Sequence, residues 1–256
     1  MSFTSWGIVL MAIYIGLTLF SPLALSHPRF LVTNPLLCLR LWLVTFFTAA
    51  VSLTLALGIF IALALRHHVT HEAGHDALGP LIDQFLGWLS IAVVGVLAFR
   101  MGVAVQDARA AVASLTGEIA PLLATASQKW IGNHEVWVVE SSVILMGARS
   151  GRVLATSAVI ELLSPEQLAA VVEHERTHIT QHHARLIAVA NLAEAIAPSL
   201  KAGSGFGSAA RITTELIADD AAARKFGNLE TAAALELAYP FAPGMSERVT
   251  RLKLRG

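Results

Sequence analysis

The stretch Ser164-Pro-Glu-Gln-Leu-Ala-Ala-Val-Val-Glu-His-Glu-Arg-Thr-His178 indicates how the second half of this chain folds. Its beginning predicts a helix start: Ser164 can cap the helix, Pro165 suits the first helical position, and Gln167 can complete a capping box. The apolar residues that follow predict that the helix continues through the stretch. The last five residues form an HExxH motif, whose two histidines lie four residues apart and so on one helical face.

Two histidines on one helical face can bind the same metal ion. The imidazoles of His174 and His178 can converge on one zinc ion, while Glu175 can reach a zinc-bound water. Zinc with three protein ligands and one open position lowers the pKa of its water towards about 7 and polarises a scissile carbonyl. Glu175 would accept the proton of that water and pass it to the leaving amine. We therefore predict Zn²⁺ as the cofactor, His174 and His178 as ligands, and Glu175 as the catalytic base.

An acidic pair downstream can complete this site. Glu215-Leu-Ile-Ala-Asp219 begins 37 residues after His178, on a predicted helix over Arg211 to Phe226. Residues four apart share a helical face, whereas Asp220 is rotated by about 100° from Asp219. We expect Glu215 to be the third zinc ligand and Asp219 to accept a hydrogen bond from a ligating imidazole. The alternative is a buried helix whose acidic residue pairs with the histidines without a metal.

Four further residues near the motifs carry less specific predictions. His182 and His183 follow the HExxH motif and are predicted to be surface residues, because three ligands are already assigned. His134 and Arg224 are candidates for stabilising a transition state, but nothing in their spacing selects either of them.

A second HExxH motif occurs at His71-Glu-Ala-Gly-His75. It lies in a polar loop with Gly79 and Pro80, and it has neither a helix cap nor a downstream carboxylate pair. We interpret it as a solvated histidine-rich loop that is dispensable for catalysis, with adventitious or regulatory metal binding as the alternative.

The first 105 residues contain three long apolar runs. With 55% hydrophobic residues, 14% charged residues and a mean hydropathy of +0.64, the chain is too apolar for an ordinary soluble domain. The runs at 6–25 and 41–65 are long enough to cross about 30 Å of hydrocarbon, and a third run continues past Arg100, which can snorkel to the interface. We predict transmembrane helices at about 6–25, 41–65 and 85–105. A cleaved signal peptide is the alternative for the first run, but no Lys or Arg precedes it and the run is too long.

Arginines in the loops predict the orientation of these helices. Arg29 and Arg40 lie in the first loop and Arg66 lies in the second, while Arg100 and Arg109 follow the third run. By the positive-inside rule, the N-terminus is outside and the C-terminal part of the chain is in the cytoplasm.

Charge and cysteine content exclude several function classes. The chain has 18 Lys and Arg residues and 18 Asp and Glu residues, so we expect neither a basic surface nor direct binding of nucleic acid. Cys38 is the single cysteine, which excludes an intramolecular disulfide and a cysteine-based zinc cluster. A metal site would need histidines and carboxylates, and the chain has 10 histidines.

The composition predicts two domains, a membrane domain over 1–105 and a soluble domain over 106–256. The predicted elements of the soluble domain begin with a helix over 106–126 and strands at 136–139, 143–146 and 152–156, with a turn at 147–151. After the HExxH helix come a buried or membrane-surface helix over 184–200, a flexible loop over 203–208 and the helix over 211–226. We predict an α+β fold, mainly α, with three transmembrane helices followed by a small zincin-like metalloprotease domain with a short antiparallel sheet.

The three spans, residues 163–178 and residues 215–224 resemble the BlaR/MecR family of membrane zinc metallopeptidases. The chain is more distantly similar to the HtpX and CAAX-protease family, which shares the HExxH and ExxxD pattern. The resemblance implies a zinc site made by the HExxH histidines and Glu215, with Glu175 as the base and Asp219 orienting a histidine. It also implies a cytosolic peptidase domain that cuts a transcriptional repressor in response to an outside signal.

The larger members of that family carry a fourth span and an extracytoplasmic β-lactam sensor. Here only about 30 residues follow Gly227, so we expect no such sensor. The leading hypothesis is a membrane-anchored zinc endopeptidase that acts on a cytosolic protein. The alternatives are an HtpX-like quality-control protease for membrane proteins and a non-catalytic, metal-binding membrane receptor. Glu175 argues against the receptor, because zinc storage does not need a carboxylate that is not a ligand beside the metal.

Overall fold

The computed structural model describes residues 2–70, 78–149, 151–196 and 201–256. The motif at His71 to His75 therefore lies outside the described residues. In chain order, the elements within the described ranges are α1 (Phe3–Leu25), α2 (Pro28–Thr33), α3 (Pro35–Thr70), α4 (Leu78–Thr125), β1 (Ser127–Ile131), β2 (His134–Val139), β3 (Met146–Arg149), β4 (Arg152–Thr156), α5 (Ser157–Leu162), α6 (Pro165–Thr180), α7 (His183–Ile196), α8 (Lys201–Phe226), α9 (Asn228–Ala238) and α10 (Met245–Lys253).

The chain divides into two compact units. The first, which we call the membrane unit, consists of Met1–Phe30, Leu37–Ala108 and Ala190–Ala209. The second, which we call the sheet unit, consists of Leu31–Leu36, Arg109–Val189 and Ala210–Gly256.

Among the described residues, three helical segments are long and apolar enough to cross a membrane. They cover Phe3–Leu25, Pro35–Arg66 and Leu81–Ser114, which confirms the prediction of three candidate membrane helices. The third belongs to α4, which continues to Thr125. The apolar run and the helix predicted over 106–126 are therefore one element, because no proline or turn cluster separates them in the sequence.

Part of α8 corrects the sequence analysis. The glycine-rich stretch Gly203 to Ser208, predicted as a flexible loop, is helical. A Cβ atom on Gly205 would lie 3.1 Å from the Trp42 ring, and Phe206 stacks on Trp42 with ring centroids 5.9 Å apart. Because glycine permits this close packing within the membrane unit, tertiary contacts outweigh its low helix propensity.

The sheet has four strands in the order β1-β2-β4-β3 and is mixed rather than purely antiparallel. β1 and β2 are antiparallel, as are β3 and β4, but β2 and β4 are parallel, with Val136 opposite Val153. The strand predicted over 143–146 lies at Met146–Arg149. The hairpin that follows uses Gly151, whose φ of +75° suits glycine, and β4 returns between β3 and β2.

Helix α6 packs against this sheet and α9 packs against α6, and together they enclose the core of the sheet unit. The core includes the buried side chains of Val136, Val138, Met146, Val153, Val159, Leu168, Val171, Val172 and Ala234. The predicted capping box is confirmed at the start of α6. The Ser164 hydroxyl accepts from the Gln167 backbone N–H at 3.2 Å, and the Gln167 side chain accepts from the Ser164 backbone N–H at 3.1 Å. A capped helix that is anchored on a sheet gives the HExxH motif a defined position.

Candidate metal centre

The three motif residues predicted to form the site lie within one turn of α6, and two of them are buried. His174 is 2% exposed and Glu175 is 6% exposed. One turn further on, His178 directs its Nε2 atom to within 3.1 Å of His174 Nε2. Two nitrogen lone pairs repel each other, so ring nitrogens this close must share a proton or a cation.

Helix α8 adds a carboxylate to this pair. Glu215 Oε2 lies 3.5 Å from His174 Nε2, and Glu215 Oε1 lies 3.6 Å from His178 Nε2. One ligand atom from each of the three residues can be chosen so that all lie within 4.8 Å of one another. Bonds of about 2.0–2.1 Å to a tetrahedral zinc ion correspond to ligand separations of about 3.3–3.4 Å, close to these distances. Two imidazoles and one carboxylate are also the donor set of many catalytic zinc sites.

Asp219 and Arg248 surround this donor set on one side. Asp219 is completely buried, and its Oδ1 atom lies 3.0 Å from His174 Nδ1. Arg248, on α10, donates to both oxygens of Asp219 at 2.8 and 2.6 Å. It also forms an ion pair with Glu215 at 2.9 Å. The guanidinium therefore compensates the charge of two carboxylates that face the same histidine.

The charges of the site follow from these contacts. Burial by itself lowers the pKa of His174, but Asp219 and Glu215 outweigh burial and raise this pKa to about 9. Burial and the adjacent His174 lower the pKa of His178 to about 4. Burial opposes ionisation of Glu215 and Asp219, yet His174 and Arg248 lower the pKa of each carboxyl to about 2. At neutral pH without a metal, both carboxylates are ionised, His178 is neutral and His174 is protonated. A cation at His174 Nε2 would displace one of the two ring protons, and the other would stay on Nδ1 beside Asp219.

Glu175 has a different partner. The Tyr239 hydroxyl, which follows α9, donates a hydrogen bond to Glu175 Oε1. Burial and the Glu175 carboxylate raise the pKa of Tyr239 well above its ordinary value, so the phenol remains a donor. Glu175 is therefore fixed beside His174 without belonging to the set of three donor residues.

His183 corrects the sequence analysis, which predicts a surface residue. Its side chain is 1% exposed, and its Nδ1 atom lies 3.0 Å from His178 Nδ1. His182 is exposed, as predicted. The prediction failed for His183 because a chain reversal, rather than helical spacing, directs this residue towards α6.

The structure does not bring the other sequence candidates into the donor set. His134 Nε2 lies 3.3 Å from Glu173, and His134 Nδ1 accepts a hydrogen bond from Arg176 at 2.7 Å. Arg224 is exposed on α8. Asp220, which the helical period directs away from Asp219, pairs with Arg251 at 2.7 Å.

Sequence reasoning missed Tyr239 and Arg248. A signal for Arg248 is present: it lies between Met245, Val249 and Leu252, which are buried at helical spacing on α10. A charged residue on an apolar helical face requires a buried partner of opposite charge. No comparable local signal marks Tyr239.

Residues 143–246 match the sequence model of Peptidase family M48. The matched segment contains the HExxH motif, Glu215, Asp219 and Tyr239. Comparison with curated proteins and with solved structures gave no significant match. The match supports a metallopeptidase, and together with the apolar helices it supports a membrane metallopeptidase.

Proposed function

We propose that this protein is a membrane-anchored zinc endopeptidase that hydrolyses peptide bonds in a cytosolic protein. One observation carries the proposal: three donor residues converge beside a buried carboxylate that is not one of them. The three donors, His174, His178 and Glu215, fit a zinc ion by their chemistry and by their separations. When bound, zinc supplies a Lewis acid that makes water more acidic and polarises the scissile carbonyl.

The chain itself provides the proton transfer. Glu175 accepts a proton from the attacking water as the water oxygen forms a bond to the carbonyl carbon. It then delivers this proton to the amine nitrogen as the carbon–nitrogen bond breaks. Because the Tyr239 hydroxyl occupies Oε1, the remaining carboxylate oxygen, Oε2, is the one available for this transfer.

Asp219 and Arg248 are assigned to positioning. With a proton on Nδ1, His174 can donate to Asp219 and keep its Nε2 lone pair for the metal. Arg248 contacts both Asp219 and Glu215, which offsets the repulsion between the two carboxylates and holds them beside His174.

The proposed location of the peptidase site is the cytoplasm. Loop arginines assign the first inter-helix loop to the cytoplasmic side. Residues 31–36 of this loop belong to the sheet unit, and the Val32 carbonyl accepts from Arg251 at 3.1 Å. A chain with three spans has its first loop and its C-terminal part on the same side, so the contact agrees with the orientation.

A transcriptional repressor in a signalling pathway is the proposed substrate, and only the resemblance to the BlaR/MecR family supports this choice. An HtpX-like quality-control protease would cut misfolded membrane proteins in general. A non-catalytic metal-binding receptor is disfavoured, because metal binding alone does not require a carboxylate that is not a ligand, such as Glu175, to be held beside the site by Tyr239.

The Glu175→Gln variant tests the reaction. It should retain stoichiometric zinc in the purified full-length protein, because Glu175 is not a ligand. Cleavage of casein, or self-cleavage, should fall by about 10² to 10⁴-fold, which is the usual contribution of a general base. Zinc is measured by elemental analysis and cleavage by product quantification.

Glu166→Gln is the matched control, because it makes the same change on an exposed position of the same helix. It should retain both zinc and activity. Undiminished cleavage by Glu175→Gln would contradict the proposed base, and a wild-type protein without bound zinc would contradict the proposed metal site.

A further inference from the structure

A sharp chain reversal links the HExxH helix to the helix that follows. α6 ends at Thr180, and α7 begins at His183. Between them, His182 has a φ of +55°, in the left-handed region that few residues other than glycine and asparagine adopt readily. This reversal directs the side chain at the start of α7 back towards α6.

The reversal brings two histidines into contact. His183 Nδ1 lies 3.0 Å from His178 Nδ1, and the two rings are nearly perpendicular, at 84° with centroids 4.9 Å apart. Such a separation requires one nitrogen to donate and the other to accept.

The metal-facing atom decides which histidine donates. His178 directs Nε2 towards His174 and Glu215, so a metal ion would use the lone pair of this atom. A neutral imidazole with a free Nε2 lone pair carries its hydrogen on Nδ1. His178 then donates from Nδ1, and His183 accepts on Nδ1.

We propose that His183 is a positioning residue of the metal site, which accepts the Nδ1–H of His178 and directs the Nε2 lone pair of His178 at the zinc ion. This inference rests on the proposed zinc site. It assigns each HExxH histidine its own acceptor: Asp219 from α8 for His174, and His183 from α7 for His178. One acceptor is a carboxylate and the other a neutral ring.

The remaining hydrogen of His183 shows that keeping a histidine at this position has a cost. As an acceptor on Nδ1, the ring carries its hydrogen on Nε2. This atom is buried and, within the described residues, has no hydrogen-bond partner. An unpartnered buried donor carries a free-energy cost. The proposed role in the metal site provides a reason to keep a histidine here rather than an apolar residue.

The test compares zinc affinity among variants of the purified full-length protein. His183→Leu removes the acceptor, and its zinc affinity should fall by about 10 to 100-fold, as for other residues that orient metal ligands. His183→Asn provides an amide oxygen close to the position of Nδ1 and should restore most of this loss. Affinity is measured by competition with a zinc chelator. Thermal unfolding of the zinc-free proteins should show no comparable difference.

His182→Asn is the matched control, because this position is exposed and asparagine tolerates its left-handed backbone. It should bind zinc like the wild type. If His183→Leu does not fold, His183→Met makes the same comparison with a more adaptable side chain.

The possible failures are distinguishable. Equal zinc affinity in the wild type and His183→Leu would overturn the role of His183 and leave the zinc site intact. Equal losses in His183→Leu and His183→Asn would also overturn it, since packing rather than acceptance would then matter. A wild-type protein that binds no zinc would overturn the proposed function itself.

Discussion

Two adjacent aspartates show how strongly one residue's direction affects its role. Asp219 is buried against His174 and Arg248, whereas Asp220 forms ion pairs with Arg251 and Arg255. The two side chains are identical, and only their angle around the axis of α8 differs. One aspartate therefore acts on a candidate metal ligand, and the other connects two helices.

These neighbours make a matched pair for mutagenesis. Asp219→Asn should lower zinc affinity by about 10 to 100-fold, because a neutral amide is a weaker acceptor for the His174 imidazole. Asp220→Asn should leave zinc affinity unchanged. Chelator competition on the two purified variants measures both. An equal loss of zinc in the two variants would show that Asp219 acts through general stability rather than through His174.

At the scale of elements, α6 is the best specified part of the chain. Its cap, its apolar spacing and its motif all lie within 15 consecutive residues, from Ser164 to His178. Both hydrogen bonds of its capping box are present. Because the cap, the apolar spacing and the motif all favour the same helix, local residues alone determine where it begins. Its rigidity depends on packing against the sheet.

Removal of the cap should therefore destabilise the protein by a predictable amount. Ser164→Ala leaves one N–H group of the first helical turn without its acceptor and should lower the free energy of unfolding by about 1 kcal/mol. Denaturant titration of the full-length protein measures this loss. Ser142→Ala, at an exposed loop position, is the control and should stay within about 0.5 kcal/mol of the wild type. A loss no larger than that of the control would mean that the box does not stabilise α6.

At the scale of the whole molecule, the first inter-helix loop contacts the C-terminal part of the chain, and this contact bears on the membrane topology. The Val32 carbonyl accepts hydrogen bonds from Arg251 and Arg255, near the other end of the chain. All three residues belong to the sheet unit. We therefore predict that the first loop and the C-terminal helix lie on the same side of a membrane.

Reporter fusions test this topology. A reporter that is active only in the cytoplasm should be active after Gly256, and the same reporter inserted near Asp76 should be inactive. A second reporter, active only outside the cytoplasm, should give the opposite pattern and serves as the control. Activity of one reporter at both positions would mean that the third apolar segment does not cross the membrane.

Local patterns account for what the sequence by itself determined. The three apolar runs predicted the candidate membrane helices, since the length and composition of a segment are enough to indicate a span. The α6 cap follows from the residue types at the start of the helix, and the common face of Glu215 and Asp219 follows from helical periodicity. The carboxylates could be ranked without a structure because each angle around α8 depends only on the separation along the sequence.

Contacts between distant segments were decided only by the tertiary structure. Gly203 to Ser208 joins α8 because Trp42 packs closely against it, and glycines alone predicted a loop. β4 lies parallel to β2 because a hairpin returns it to the inner position of the sheet. Likewise, Tyr239, Arg248 and His183 reach the candidate site through packing and a left-handed turn. A sequence pattern reports spacing within one element, whereas burial and pairing depend on which elements meet, and that information is not contained in the spacing.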